Sequence, residues 1–131
     1  MNNKVLIPCI YLKQGKAVEG FGKTKIFEDG DAVGLAETYG NNGADELLVF
    51  DLSSNDTEHE EAIGCIKKIV QKAEIPVIGA GNVKRMEDVK KLIYAGCEKA
   101  VLNFSKPGNV SILEEVSKKF GKEKILVSIF I

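Results

Sequence analysis
The chain has 131 residues, 44% hydrophobic and 28% charged, with 18 Lys and Arg against 19 Asp and Glu and a formal net charge of −1. These values describe one globular core rather than two domains, and they leave no surplus of positive charge to neutralise a nucleic-acid backbone. No apolar run approaches the roughly 20 residues of a membrane helix and the first residues lack a signal-peptide profile, so a cytoplasmic protein without nucleic-acid or membrane partners is expected.

Val5-Leu6-Ile7-Pro8-Cys9-Ile10 is a continuous apolar run, the pattern of a strand buried on both faces, with Pro8 tolerable in an opening strand or a bulge. Residues 12–30, with Gly15, Gly20, Gly22 and Gly30 among Lys and Glu, read as a long mobile loop with room for a small hairpin; loops of this length commonly carry function. Asp31 is placed to cap a helix whose apolar residues Ala32, Leu35, Ala36 and Tyr39 recur at helical spacing until Gly40-Asn41-Asn42-Gly43. Leu47-Leu48-Val49-Phe50 is a second strand, ending at Asp51. Residues 57–73 carry Ala62, Cys65, Ile66, Ile69 and Val70 on one helical face, and Ile75-Pro76-Val77-Ile78 is a short strand closed by Gly79-Ala80-Gly81. A third helix over 85–95 ends at Gly96, a fourth strand follows over 99–103, a fourth helix over 109–120, and a fifth strand over 124–131. Strand and helix alternate four times and one strand follows, which predicts an α/β fold of parallel βαβ units in a single domain over residues 1–131. A doubly wound open sheet and part of a (β/α)8 barrel both fit, and both put ligand chemistry at the carboxyl ends of strands.

Those ends hold Tyr11, Asp51, Gly79 to Gly81, Asn103 and Phe130. The Gly79-Ala80-Gly81 turn could open backbone N–H groups to a phosphate at the start of a helix, and is equally compatible with a tight turn that binds nothing. A dinucleotide fingerprint is excluded, because it needs glycine where Lys84 stands. Asp51 suits an acid with a chemical role or one that caps the following turn. His59, within Glu58-His59-Glu60-Glu61, reads as a solvated residue. Cys9, Cys65 and Cys97 are widely spaced and without a His partner nearby, so reduced buried thiols are expected, with no metal site and no cofactor.

Taken together, Ile7-Pro8-Cys9-Ile10, Lys13-Gln14-Gly15-Lys16-Ala17-Val18, Gly30-Asp31-Ala32-Val33, Gly43-Ala44-Asp45-Glu46-Leu47, Ile75-Pro76-Val77 with Gly79-Ala80-Gly81, and Gly96-Cys97-Glu98-Lys99 with Asn103 resemble the cyclase subunit of imidazole glycerol phosphate synthase. The isomerase acting one step earlier in histidine biosynthesis shares the plan, and Lys99, Asn103 and the serines after Asp51 look closer to the cyclase. The resemblance covers the whole chain and only the first half of the family barrel, implying a (βα)4 half-barrel plus a fifth parallel strand. It implies a phosphorylated aminoimidazole carboxamide ribonucleotide as ligand, with Gly79, Gly81 and Asn103 at one phosphate; Ala80 and Phe104 depart from the family residues there. Tyr11 and Phe130 hold the positions of the family's two catalytic aspartates and Glu19 that of a lysine, which implies altered chemistry or a catalytically inactive paralogue. Glu46 and Lys99 match members of a charged ring at the amino-terminal mouth, which faces a glutaminase subunit in the family; Val5 replaces the ring's arginine. A sheet cut from a barrel exposes edges at its first and last strands, and residues 127–131 end inside an apolar strand. Self-association or a missing carboxyl-terminal half-barrel is therefore expected.

Overall fold
A computed structural model describes residues 4–105 and 108–129 of the chain. The strands are β1 (Cys9–Lys13), β2 (Lys16–Val18), β3 (Leu47–Asp51), β4 (Val77–Ala80), β5 (Lys99–Asn103) and β6 (Ile125–Ser128); the helices are α1 (Ala32–Asn41), α2 (Asp56–Ala73), α3 (Met86–Tyr94) and α4 (Asn109–Phe120). They form one sheet in the order β2-β1-β3-β4-β5-β6, antiparallel only between β1 and β2. Each crossover advances the parallel sheet by one strand in the same direction. A doubly wound sheet would reverse that order, so the fold is the half (β/α)8 barrel.

The first strand lies further along than residues 5–10. Pro8 has no N–H to give to a ladder, and the regular ladder starts at Cys9, pairing with Leu48 of β3. Residues before Pro8 are tied down individually: Leu6 N donates to Asp45 Oδ2 at 2.7 Å and Leu6 O accepts from Asp45 N at 2.9 Å. The expected long loop begins with a hairpin. Gln14 and Gly15 have φ of 52° and 76°, the left-handed pair that a two-residue hairpin requires, and Lys13 faces Lys16 across it. Beyond β2 the chain folds back on it, with Phe27 N donating to Ala17 O and Ala17 N to Gly30 O. β4 starts two residues after Ile75, and the last strand is shorter than residues 124–131, beginning after a 3-10 turn at Lys122–Lys124. Phe130 lies outside the described residues.

Alternation along the strands divides the sheet. Ile10, Leu12, Leu47, Val49, Ala100 and Leu102 are buried on the helix side against Ile66 and Ile69 of α2, Val89 and Leu92 of α3, and Val116 of α4. Cys9, Tyr11, Leu48, Phe50, Val101 and Asn103 alternate with them on the opposite face and are only half-buried. Parallel sheets are ordinarily covered on both faces, so this inner face is the one a complete barrel would fill. The starts of α1 and α2 are capped by the residues that chemistry would select: Asp31 Oδ1 accepts from Gly34 N, and Asn55 Oδ1 from Glu58 N.

Candidate functional site
The carboxyl ends of β1, β3, β4 and β5 lie side by side and bring most of the expected site residues to one rim. Tyr11 pairs in register with Phe50 on β3, and the two rings stack at 5.3 Å and 9°. Phe21, from the segment after β2, meets both rings edge-on at 5.1 and 4.7 Å, completing an aromatic cluster on the inner face. Burial first, and then Cys9 beside it, pushes the Tyr11 phenol above its ordinary value. At neutral pH Tyr11 therefore offers an O–H donor and not a base. Glu19 is exposed and lies 3.9 Å from Lys25, while Glu46 and Lys99 stand at the amino ends of β3 and β5 with β4 between them.

Asp51 ends β3 on the helix side and is almost fully buried. One carboxylate oxygen accepts from Ser53 N at 2.9 Å, the local cap that its position suggested; the other lies 2.5 Å from His59 Nδ1. His59 is thus not a solvated residue. Its side chain is 13% exposed, in the second turn of α2, and its Nε2 is buried without a hydrogen-bond partner, 3.7 Å from Asp88 Oδ1. Asp88 is itself buried in the first turn of α3, where its other oxygen accepts from Lys84 N at 2.9 Å and Arg85 N at 3.0 Å. An Asp–His–Asp bridge therefore joins β3, α2 and α3 just behind the rim. Beside it, a cleft of about 540 Å³ is lined by Ser53, His59, Asn82, Lys84, Arg85 and Lys91 among others.

The glycine turn after β4 sits on this bridge. Gly81 has φ of +90°, and a Cβ there would lie 2.3 Å from Asp51 O, so the turn presses directly on the backbone of β3. Gly79 faces the helix layer, where a Cβ would come within 2.7 Å of Leu92 and 3.1 Å of Cys97 Sγ; its smallness serves helix packing. Asn82, also left-handed at φ 55°, directs its side-chain amide to Asp51 O (3.2 Å), Ser53 O (3.0 Å) and Ser53 Oγ (2.8 Å). At the end of β5, Asn103 Oδ1 accepts from Ser105 N at 2.9 Å, and Asn103 O accepts from the buried Asn109 side chain at 3.0 Å. Phe104 packs against the core from a half-buried position.

A second lock joins the hairpin to the same rim. Lys13 Nζ donates to Leu52 O (3.2 Å), Glu58 Oε2 (3.1 Å) and Ser54 Oγ. The Ser54 backbone N–H first, and then Lys13, hold the Glu58 carboxyl below its usual range. Of the three cysteines, Cys97 is buried and its thiol is pushed up to about 12 by desolvation, whereas Cys9 and Cys65 are half-buried. Among the described residues no group of three or more His, Cys, Asp and Glu is arranged to hold a metal ion, and no helix is long and apolar enough to cross a membrane.

A family model described as histidine biosynthesis protein matches residues 5–130. The chain belongs to the histidine-biosynthesis protein family. Members of this family that it resembles include imidazole glycerol phosphate synthase subunit HisF of Campylobacter concisus (strain 13826), 32% identical over 126 residues. The same subunit of Azobacteroides pseudotrichonymphae genomovar. CFP2 is 35% identical over 126 residues; each alignment covers 96% of this chain and 50% of the relative. That of Methanocaldococcus jannaschii is 31% identical over 129 residues, 98% of this chain and 47% of the relative. The chain thus spans about half the length of these curated relatives.

Proposed function
We propose that the chain supplies the amino-terminal half of a cyclase-type histidine-biosynthesis barrel, and that its rim grips one phosphate of a phosphorylated aminoimidazole carboxamide ribonucleotide. The observation that carries this reading is the similarity to HisF subunits over nearly the whole chain. It gains support from the ends of two adjacent parallel strands, where Gly79 and Ala80 close β4 just before the Gly81 turn and Asn103 is the last residue of β5. In this reading Gly81 and Asn103 face the phosphate, and Gly79 lets α3 pack closely behind the strand that carries the turn. The open inner face of the sheet supports completion by a second half-barrel, as further polypeptide or as a second copy. Glu46 and Lys99, at the opposite mouth, are the residues assigned to a glutaminase subunit. A cytoplasmic setting follows from the biosynthetic role.

Tyr11 favours a second reading, binding without turnover. A phenol held protonated against two Phe rings cannot accept the proton that a carboxylate at this position would accept. One experiment addresses both: calorimetry with the ribonucleotide, alongside a turnover assay with added ammonium. Binding with turnover supports the cyclase reading, and binding without turnover supports the second. The absence of binding to any phosphorylated ribonucleotide overturns both. Loss of one hydrogen bond to a charged phosphate costs about 1.5–3 kcal/mol, so Asn103→Ala is expected to bind roughly 10- to 100-fold more weakly.

A further inference from the structure
His59 and Asn82 answer to no role assigned above, yet both act on the same point. Asn82 ties the residue after Gly81 to the backbone carbonyls of Asp51 and Ser53. His59 holds the Asp51 carboxylate through Nδ1 and turns Nε2 toward Asp88, whose remaining oxygen fixes the Lys84 and Arg85 N–H groups. The segment from Gly81 to Asp88 is therefore tied to the last residue of β3 directly through Asn82, and at its far end Asp88 Oδ1 stands 3.7 Å from Nε2 of the imidazole that holds the Asp51 carboxylate. Asn82 is hydrogen-bonded to β3 and the segment after it, and His59 to the Asp51 carboxylate, whereas the turn itself has two successive residues at positive φ, Gly81 at 90° and Asn82 at 55°. Glycine takes up this backbone freely, but at Asn82 it carries a conformational cost that the bonds of its side chain offset.

We infer that His59 and Asn82 are positioning residues, which hold the Gly81 turn in its ligand-ready form by fixing it to Asp51. The inference rests on the phosphate reading for its ligand, but not for its geometry. Asp51, Asp88, Glu60, Lys84, Arg85 and Lys91 are the charged groups around the ring, and of these the two buried aspartates face its nitrogens. Because Nδ1 is the atom bonded to Asp51, asparagine is the substitution that keeps a donor near that place. Glutamine extends instead toward the position of Nε2.

The test compares the full-length wild type with His59→Asn, His59→Gln, His59→Ala and Asn82→Gly. Asn82→Gly keeps access to the left-handed conformation while removing the anchor. Without ligand, backbone 15N relaxation at Gly81 and Asn82 is expected to report order parameters near 0.85 in the wild type and His59→Asn, falling below about 0.6 in the other three. Titration of ribose 5-phosphate, followed by 31P NMR, is expected to show about 10-fold weaker binding in those three and less than about 2-fold change in His59→Asn. Unchanged order parameters at residues 81 and 82 in His59→Ala and Asn82→Gly overturn the inference whatever the ligand does. Loosened turns in a protein whose wild type does not bind ribose 5-phosphate support the positioning role and overturn the phosphate reading instead. Equal loss in His59→Asn and His59→Gln overturns the assignment to Nδ1.

Discussion

The tightest contact at the rim is the approach of the Gly81 turn to β3, and Gly81→Ala tests it. An added Cβ would stand 2.3 Å from Asp51 O, 2.9 Å from Asp51 N and 3.0 Å from Asp51 C, all backbone atoms of a central strand with no flexible end to swing away. Left-handed backbone costs a non-glycine residue about 1–2 kcal/mol. Forcing β3 and β4 apart adds about 1–3 kcal/mol, the range seen for overpacked cores, giving about 2–5 kcal/mol in all. Gly43 is the internal control: its φ is +95°, but an added Cβ would meet nothing within 4 Å, so Gly43→Ala isolates the conformational part. Urea unfolding of the two variants is expected to differ by about 1–3 kcal/mol, or about 3–12 °C in Tm for a domain of this size. If Gly81→Ala proves as stable as Gly43→Ala, the turn yields at no cost and the close approach to Asp51 is not a constraint.

Three further outcomes are expected. Gly64 lies inside α2, where an added Cβ meets nothing within 4 Å, so Gly64→Ala should raise stability by about 0.5–1 kcal/mol in the same unfolding experiment. Cys97, with its thiol near 12 in the folded protein, should resist alkylation at pH 8 while Cys9 reacts. Because the unfolded thiol ionises near pH 8.5 and the folded one does not, unfolding releases a proton above that pH. This single group should therefore lower stability by about 1.4 kcal/mol per pH unit until the folded thiol also ionises, a slope that Cys97→Ala removes. Glu58 has the opposite sign. Its carboxyl is lowered in the folded state, so its contribution is present above its ordinary value and is lost as pH falls through the folded value. Glu58→Gln should flatten the acid limb of stability measured between pH 5 and 3.

Most of the fold was legible because short continuous apolar runs alternate with segments whose apolar residues recur at helical spacing. β5 and α4 lie on the residues that the pattern marks, and Asp31 caps α1 as its position implies. The first strand was misplaced because apolarity outweighed the missing N–H of Pro8. A hairpin was expected within residues 12–30 but not placed, because Gln14, rather than Asn or Asp, supplies the first left-handed residue of its turn. The candidate site was half legible. Tyr11, Asp51, Gly81 and Asn103 emerge from the rule that chemistry gathers at strand ends, whereas His59, Asn82 and Asp88 do not lie in any strand. A signal for His59 was present all the same. It stands three residues before Ala62, seven before Ile66 and ten before Ile69, on the stripe that α2 buries, although its neighbours Glu58, Glu60 and Glu61 make the segment look solvated. Asp51 likewise continues the buried phase of Leu47 and Val49. Polar residues in an apolar phase must find partners, and these two find each other.

The aromatic cluster also gives the molecule a built-in gauge. The chain has no tryptophan and only three tyrosines. Tyr94 meets Phe120 edge-on and Tyr39 packs against the helix-side core, whereas Tyr11 is held against Phe50 of β3 and Phe21 of the segment after β2. Lifting that segment off the rim would free one side of the Tyr11 ring. The part of the tyrosine circular dichroism that Tyr11→Phe removes, with no label attached, thus registers whether the rim stands covered or open.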